Sequence, residues 1–448
     1  MWRRNFLKLL RLGGSASVLT GLEATAASAQ SSERPNLKVG SVDIAEMEIV
    51  DVHVHPPTPI TLEQNYDKWN GSFVDALLPA YEYEHKEELR QKLSGVFEEH
   101  LYNLPRQTGY YNYVSRVYGV EPNLAGFDSV VKKGIAGGFT EYIRSILDRE
   151  KVSSMLLQSR SSDPVRPDTP VPADRFVWSY SFNDLIQPEF AEKNSAEAVE
   201  DVVKAIDQIL ETCASNGCVG LKTSMAYFRP LTVEKVERDQ ANMDLKAVLT
   251  HSPSALTPRG TPLYDDPELT RALHSYQDYL LRHIFVKAGE LDMRVIIHTA
   301  VGLHPALRFD WNSPLGLYKS FQDDEVKRVE TQFVLIHSGY PLHQHVAAFI
   351  SQFPNVHTDV SFYAKFPGVL EEVLRAFIGL APSEQTMHGS DSNAIPEEIG
   401  YCADNFRRVL AKVLSDYRYH YGWTDKDCEK IARNVMSENA KRIYKINT

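Results

Sequence analysis

Eight short apolar runs, separated by helix-patterned and loop sequence, constrain this chain more than any other feature. They are Ile49–Pro56, Val152–Gln158, Arg175–Asn183, Cys218–Thr223, Arg294–Thr299, Gln332–His337, Val356–Val360 and Gln385–Gly389. Strands that are apolar on both faces belong in a parallel sheet covered by helices. Closed on itself, such a sheet is a (β/α)8 TIM barrel, the fold expected here. A doubly wound open sheet is the alternative, but no glycine-rich phosphate loop follows the first run. A chain of 448 residues suffices for one large barrel or two to three ordinary domains. One interval breaks the alternation: about residues 62–150 hold no strand-like run but show helical spacing at Ser72–Tyr81, Glu87–Leu101 and Glu141–Glu150. That span exceeds an ordinary connection. It is expected to be a helical insertion after strand one, folding over the active face of a barrel that occupies residues 47–448.

The polar residues gather where the runs end. In Ile49-Val50-Asp51-Val52-His53-Val54-His55-Pro56, period-two alternation sends His53 and His55 to one face, and Pro56 ends the pairing. Alone, such a pair is more often two core histidines satisfied by hydrogen bonds. Later strand ends shift the balance: Lys222 ends strand four, His298 strand five and His337 strand six, and Asp391 lies just past strand eight. Each has a dull explanation singly, as a snorkelling Lys, a satisfied His or a capping Asp. Together they sit at the carboxyl ends of the strands, where a barrel keeps its reactive groups.

Neutral imidazole and carboxylate suit a divalent ion such as zinc, one or two per chain. Such an ion brings the pKa of its bound water towards about 7 and polarises a carbonyl; Asp391 would take that water's proton and hand it to the leaving group. Lys222 has two readings: carbamylated, it is an anionic ligand able to bridge a second metal; unmodified, it is a cation for a substrate carboxylate. Tyr227, Arg229 and His304 follow strands four and five and are candidate substrate contacts. Arg229 has the chemistry to anchor a carboxylate, and pairing with a local acid is an equal alternative. Glu397 is read as the start of a helix rather than a catalytic group.

These residues carry a resemblance. The pattern of His53/His55, His298, His337 and Asp391 is similar to that of the amidohydrolase-related branch of the amidohydrolase superfamily: His-x-His on strand one, His on strands five and six, Asp on strand eight. Val219-Gly220-Leu221-Lys222, Ala226-Tyr227-Phe228-Arg229, His337-Ser338-Gly339-Tyr340-Pro341 and His388-Gly389-Ser390-Asp391 with Ile395-Pro396-Glu397 resemble the amidohydrolase-like domain of fluG and nodulin-type proteins. The resemblance implies a barrel of the metal-dependent hydrolase type, with His53, His55 and Asp391 as metal ligands. It also implies that His298 and His337 are ligands or substrate-contacting catalytic groups. After strand five the Gly-Phe-Gly-Asp expected of such a domain is replaced by Ala300-Val301-Gly302-Leu303-His304, and with no glutamine-synthetase part no ligase activity is expected.

The leading reading is therefore hydrolysis of a carbon–nitrogen amide bond in a small-molecule substrate. Non-oxidative decarboxylation of an unsaturated or aromatic acid, and a non-catalytic metal-stabilised binding protein, stay open as rivals. Arg3-Arg4-Asn5-Phe6-Leu7-Lys8, the weakly apolar run to Leu22 and Ala27-Ser28-Ala29 resemble a twin-arginine export signal over residues 1–29. Residues 30–46 follow as a linker, and a periplasmic location is expected. The apolar run is too short and too polar for a stable membrane span. Losing residues 1–29, with four basic residues and one acid, takes the net charge from −11 to −14, which argues against nucleic acid as a partner; a homo-oligomer is left open. Cys213, Cys218, Cys402 and Cys428 form no ligand-spaced cluster and are expected as buried thiols, with a Cys213–Cys218 disulfide the alternative in an oxidising compartment.

Overall fold

The computed structural model describes residues 42–68, 86–159, 162–256, 261–302 and 307–446. The export segment, most of the linker, the helix expected at Ser72–Tyr81 and His304 lie outside the described residues. Eight strands follow the expected order: β1 (Ile49–His55), β2 (Val152–Gln158), β3 (Phe176–Ser181), β4 (Cys218–Thr223), β5 (Arg294–His298), β6 (Phe333–Ile336), β7 (Val356–Asp359) and β8 (Thr386–Met387). Each pairs in parallel with its sequence neighbour from β1 to β8.

The ring is closed by one short segment. Thr386–Met387 pairs with β7, and a two-residue strand, Ser392–Asn393, pairs with β1. Between them the Val52 N–H donates to the His388 carbonyl (3.0 Å) and the Asp391 N–H donates to the His53 carbonyl (2.8 Å). The sheet is thus the TIM barrel that the eight runs imply. Val50, Val52, Leu156, Ile296, Val334, Ile336 and Met387 fill its interior, with Ala440, Ile443 and Tyr444 of the last helix packed against them. A larger apolar layer lies between the strands and the surrounding helices.

β1 departs from simple alternation at the place that matters. Val52 packs in the interior cluster but Val54 in the outer one, and the register with β2 shifts between Asp51 and Val54. A bulge of this kind re-aims side chains. It is what lets His53 and His55 join the strand-end cluster although their parity is opposite to that of Val50 and Val52.

The interval between β1 and β2 is helical, as expected. Residues 62–68 are followed by α1 (Lys86–Tyr102), α2 (Pro105–Tyr118), α3 (Leu124–Ala136) and α4 (Phe139–Arg149). The periodicity missed α2 and α3, which are marked by their starts: Pro105 stands in the first turn of α2, and the Asn123 side chain caps α3 by accepting from the Gly126 N–H (2.8 Å). α2 and α4 run along α10 (Pro396–Tyr421), the helix that leaves the closing segment. A Cβ at Gly400 would collide with the Tyr113 hydroxyl, so glycine is what allows α2 to approach so closely. Glu397, fully buried at the start of α10, accepts from Tyr118, Tyr142 (2.9 Å) and Arg149 (3.3 Å). It starts the helix, as read from the sequence, and also anchors the insertion. Of the described helices, α2 and α4 hold to the flank along α10.

Candidate metal centre

Every group singled out at a strand end for metal chemistry falls at the carboxyl rim of the barrel. The imidazoles of His53 and His55 both turn Nε2 towards one carboxylate oxygen, Asp391 Oδ1, at 3.2 and 3.4 Å. The His337 ring lies 5.0 Å from that of His53 and 4.5 Å from that of His298. Among the described residues, His53, His337 and Asp391 offer donor atoms all within 4.8 Å of one another. Of the two histidines expected as ligands or substrate-contacting groups, His298 and His337, the tightest set among the described residues takes in His337. The reason is backbone: His337 is in the left-handed region (φ 66°), and this turns its side chain inward directly after β6. His298 stands beside it, in ring contact with Tyr227 at 5.0 Å.

The protonation states suit a cation. Burial, followed by the Lys222 charge, pushes the His53 imidazole down to about 3, and burial holds His337 well below its ordinary value. Burial pulls the Asp391 carboxyl up, but its hydrogen bonds with His53 and His55 and the nearby His337 outweigh that, and the net shift is well below the usual carboxylate range. Neutral imidazoles and an anionic carboxylate converging on one point are the donor set a divalent first-row ion takes. His53 and His337 are buried, whereas the side chains of His55 and Asp391 are 26% and 18% exposed. The approach for a small molecule lies on their side.

Partners behind the rings fix which nitrogen faces the centre. Nδ1 of His337 meets two Ser361 atoms, Oγ (2.9 Å) and the carbonyl (3.3 Å). A carbonyl only accepts, so Nδ1 carries the proton and Nε2 is the nitrogen left for a ligand. Ser361 Oγ in turn donates to Asp359 Oδ1 (2.6 Å), which also accepts from the His337 N–H (2.9 Å). The Gln158 amide, at the end of β2, donates through Nε2 to Nδ1 of His53 (2.9 Å), which places that ring's proton on Nε2; an ion held at Nε2 requires the amide to turn end for end so that its oxygen accepts from Nδ1–H. Such outer partners orient metal-binding imidazoles. Sequence reading missed Gln158, Asp359 and Ser361, although Gln158 and Asp359 end β2 and β7 just as His298 ends β5.

Left-handed backbone is concentrated on this rim. Ala300, His337, Ser338, Phe362, Asp391 and Ala394 all have φ between 54° and 84°, a conformation costing non-glycine residues roughly 1–3 kcal/mol each. Gly389 fits between the site's walls, since a Cβ there would lie 2.9 Å from Ser361 Cβ and 3.3 Å from His53 Cβ.

Two of the remaining candidates lie within the described residues. Lys222, buried at the end of β4, is close enough to act electrostatically on His53, His337 and Asp359. Arg229 does not face the site. It is 2% exposed and its guanidinium is taken up by Asp278, the Thr232 carbonyl (2.7 Å) and the His274 carbonyl (3.2 Å). Of the two readings of Arg229 the structure adopts the local acid, and its role as a substrate anchor is withdrawn. All four cysteines are buried free thiols.

Residues 190–446 match the family model described as amidohydrolase. The chain belongs to the amidohydrolase family. The family match begins after β3, and β1, with His53 and His55, joins it only through the fold. Protein fluG of Emericella nidulans is 25% identical over 253 residues, which are 53% of this amidohydrolase chain and 27% of fluG, so the chain spans about a quarter of that relative's length. A solved Lactobacillus casei structure, assigned as a metal-dependent hydrolase, superposes with a TM-score of 0.65 at 17% identity, covering 90% of this chain and 96% of that one. Uronate isomerase of Thermotoga maritima (TM-score 0.61, 15% identity, 89% and 95% covered) and glucuronate isomerase of Caulobacter crescentus (0.60, 12%, 90% and 92%) share the fold.

Proposed function

We propose that this protein is a metal-dependent hydrolase that cleaves a carbon–nitrogen amide bond in a small molecule. The observation that supports this most is the meeting of His53 and His55 at one carboxylate oxygen of Asp391, with His53, His337 and Asp391 forming a three-donor set at the rim of the barrel. A divalent ion bound there, zinc by the nature of the donors, would supply Lewis acidity and a water of lowered pKa.

The chain's own groups then have distinct tasks. Asp391 is anionic near neutrality and partly exposed; it accepts a proton at its carboxylate and returns it to the departing amine nitrogen. Tyr227 and His298 form one wall, on the side where a substrate carbonyl would need donors. Lys222 supplies a positive charge for a substrate carboxylate or, carbamylated, an anionic ligand for a second ion. The protein acts in the periplasm, delivered by the segment at residues 1–29.

The test is metal analysis of the purified protein, then assay of an N-acyl amino acid and amide panel with the amine and acid products both quantified. Asp391→Asn is expected to lower turnover at least 100-fold while leaving the thermal midpoint within a few degrees. Release of carbon dioxide in place of an amine would overturn the hydrolytic reading. Replacing Arg3 and Arg4 by Lys should leave the precursor in the cytoplasmic fraction; undiminished recovery from the periplasm would remove the export reading.

A further inference from the structure

Asp391 is held at both ends of its peptide, and one of the holds leads back to the helical insertion. Its backbone is left-handed (φ 54°), as is that of Ala394 three residues on (φ 84°), so the segment needs its surroundings to keep it in place. The Asp391 N–H donates to the His53 carbonyl at 2.8 Å. Its carbonyl accepts from the ammonium of Lys365 at 2.7 Å. Lys365 is 1% exposed, a buried cation whose nearest anion is Glu398 Oε2 at 3.5 Å. The same Glu398 oxygen accepts from the Asn393 N–H (2.9 Å), and the other, Oε1, accepts from the hydroxyl of Tyr110, a fully buried residue of α2 (2.9 Å). A second reach from the insertion, Asn65 Nδ2, donates to the Asn393 carbonyl at 3.1 Å.

We infer that the insertion is a positioning device for the metal centre: Tyr110 fixes Glu398, Glu398 fixes Lys365, and Lys365 sets the orientation from which Asp391 presents its carboxylate. This rests on the reading of Asp391 as a metal ligand. A buried ammonium is costly unless compensated, and here the compensation is split between an anion tied to the insertion and the peptide oxygen of the ligand itself. Lys365, Glu398 and Tyr110 touch neither ion nor substrate.

The test measures zinc affinity of the full, metal-stripped protein by competition with a chelator, alongside thermal midpoints. Lys365→Met is expected to weaken zinc binding at least ten-fold, and Tyr110→Phe, which removes one hydroxyl from the far end of the chain, two- to five-fold. The double variant Lys365→Met, Glu398→Gln removes the stranded carboxylate charge; it should regain much of the lost thermal midpoint while its zinc affinity stays low. Recovery of affinity together with stability would reduce the effect to general destabilisation and overturn the inference. So would Lys365→Met binding zinc within two-fold of the wild type. Tyr110→Phe with unchanged affinity would remove the insertion from the device, and it reads the same question should Lys365→Met fail to fold. A wild-type chain that takes up no divalent ion would instead sink the metal-centre reading, and this is seen before any variant is compared.

Discussion

Side chains behind the imidazoles bear on which nitrogen is protonated: Ser361 keeps the proton of His337 on Nδ1, and the Gln158 amide N–H leaves that of His53 on Nε2 until the amide turns. Ser361 and Gln158 hold Nδ1 of His337 and His53. Ser361→Ala removes the hydroxyl that joins His337 to Asp359, and Gln158→Leu leaves His53 without its hydrogen-bond partner at Nδ1. Each is expected to weaken metal affinity by roughly 10–100-fold, measured by chelator competition; unchanged affinity in both would show that the rings are oriented by packing alone. At this scale the sequence was partly legible. His53, His55, His298, His337 and Asp391 could be picked out because each ends an apolar run, and the fold gathers all five at the rim. That His337 rather than His298 completes the tight set was hidden, because it depends on a left-handed residue that no periodicity encodes. Ser361 was hidden as well, since a serine two residues past a strand looks like any loop residue.

Arg229 shows the limit at the scale of an element. From sequence it follows strand four on the active side, yet α7 (Pro267–Glu290), the helix that precedes β5, supplies Asp278 and captures it. Arg229→Met leaves that carboxylate buried without its cation and is expected to cost about 3–5 kcal/mol of stability, read from denaturant midpoints. A variant that keeps its stability and shows only a raised KM would restore the substrate role. The strands themselves were legible because burial on both faces leaves a run with no polar break, and all eight match in place. The insertion's existence was legible from the missing strand signal, but two of its helices were not. The apolar face of α2 serves α10, a partner nearly 300 residues away, and that of α3 serves α2 and α4, so no single window carries the match.

Over the whole molecule, three imidazoles away from the centre stay neutral inside the fold. Burial, helped by Arg229, pushes His274 down to about 4, and burial beside arginines pushes His357 and His388 to about 3. Unfolded, each titrates near 6.5. Their folded values are depressed, so the unfolded chain binds more protons between about pH 6.5 and pH 3. The stability they contribute is full above that window and is lost as the pH falls through it. At pH 5 the loss is on the order of 2 kcal/mol for each imidazole. Denaturation curves at pH 7 and pH 5 should show the drop, and His388→Phe, which faces Phe406 at 4.7 Å, should flatten it. A slope unaltered in that variant would assign the acid sensitivity elsewhere.

The stretch from Thr386 to Asn393 both joins the last strand to the first and carries Asp391. A chain emerging from synthesis has its four histidines of the centre well before this stretch arrives, but it has neither a finished circle nor the acid. An ion held at this centre would gain its carboxylate ligand only when the scaffold is complete, so the acid arrives together with the closure of the sheet.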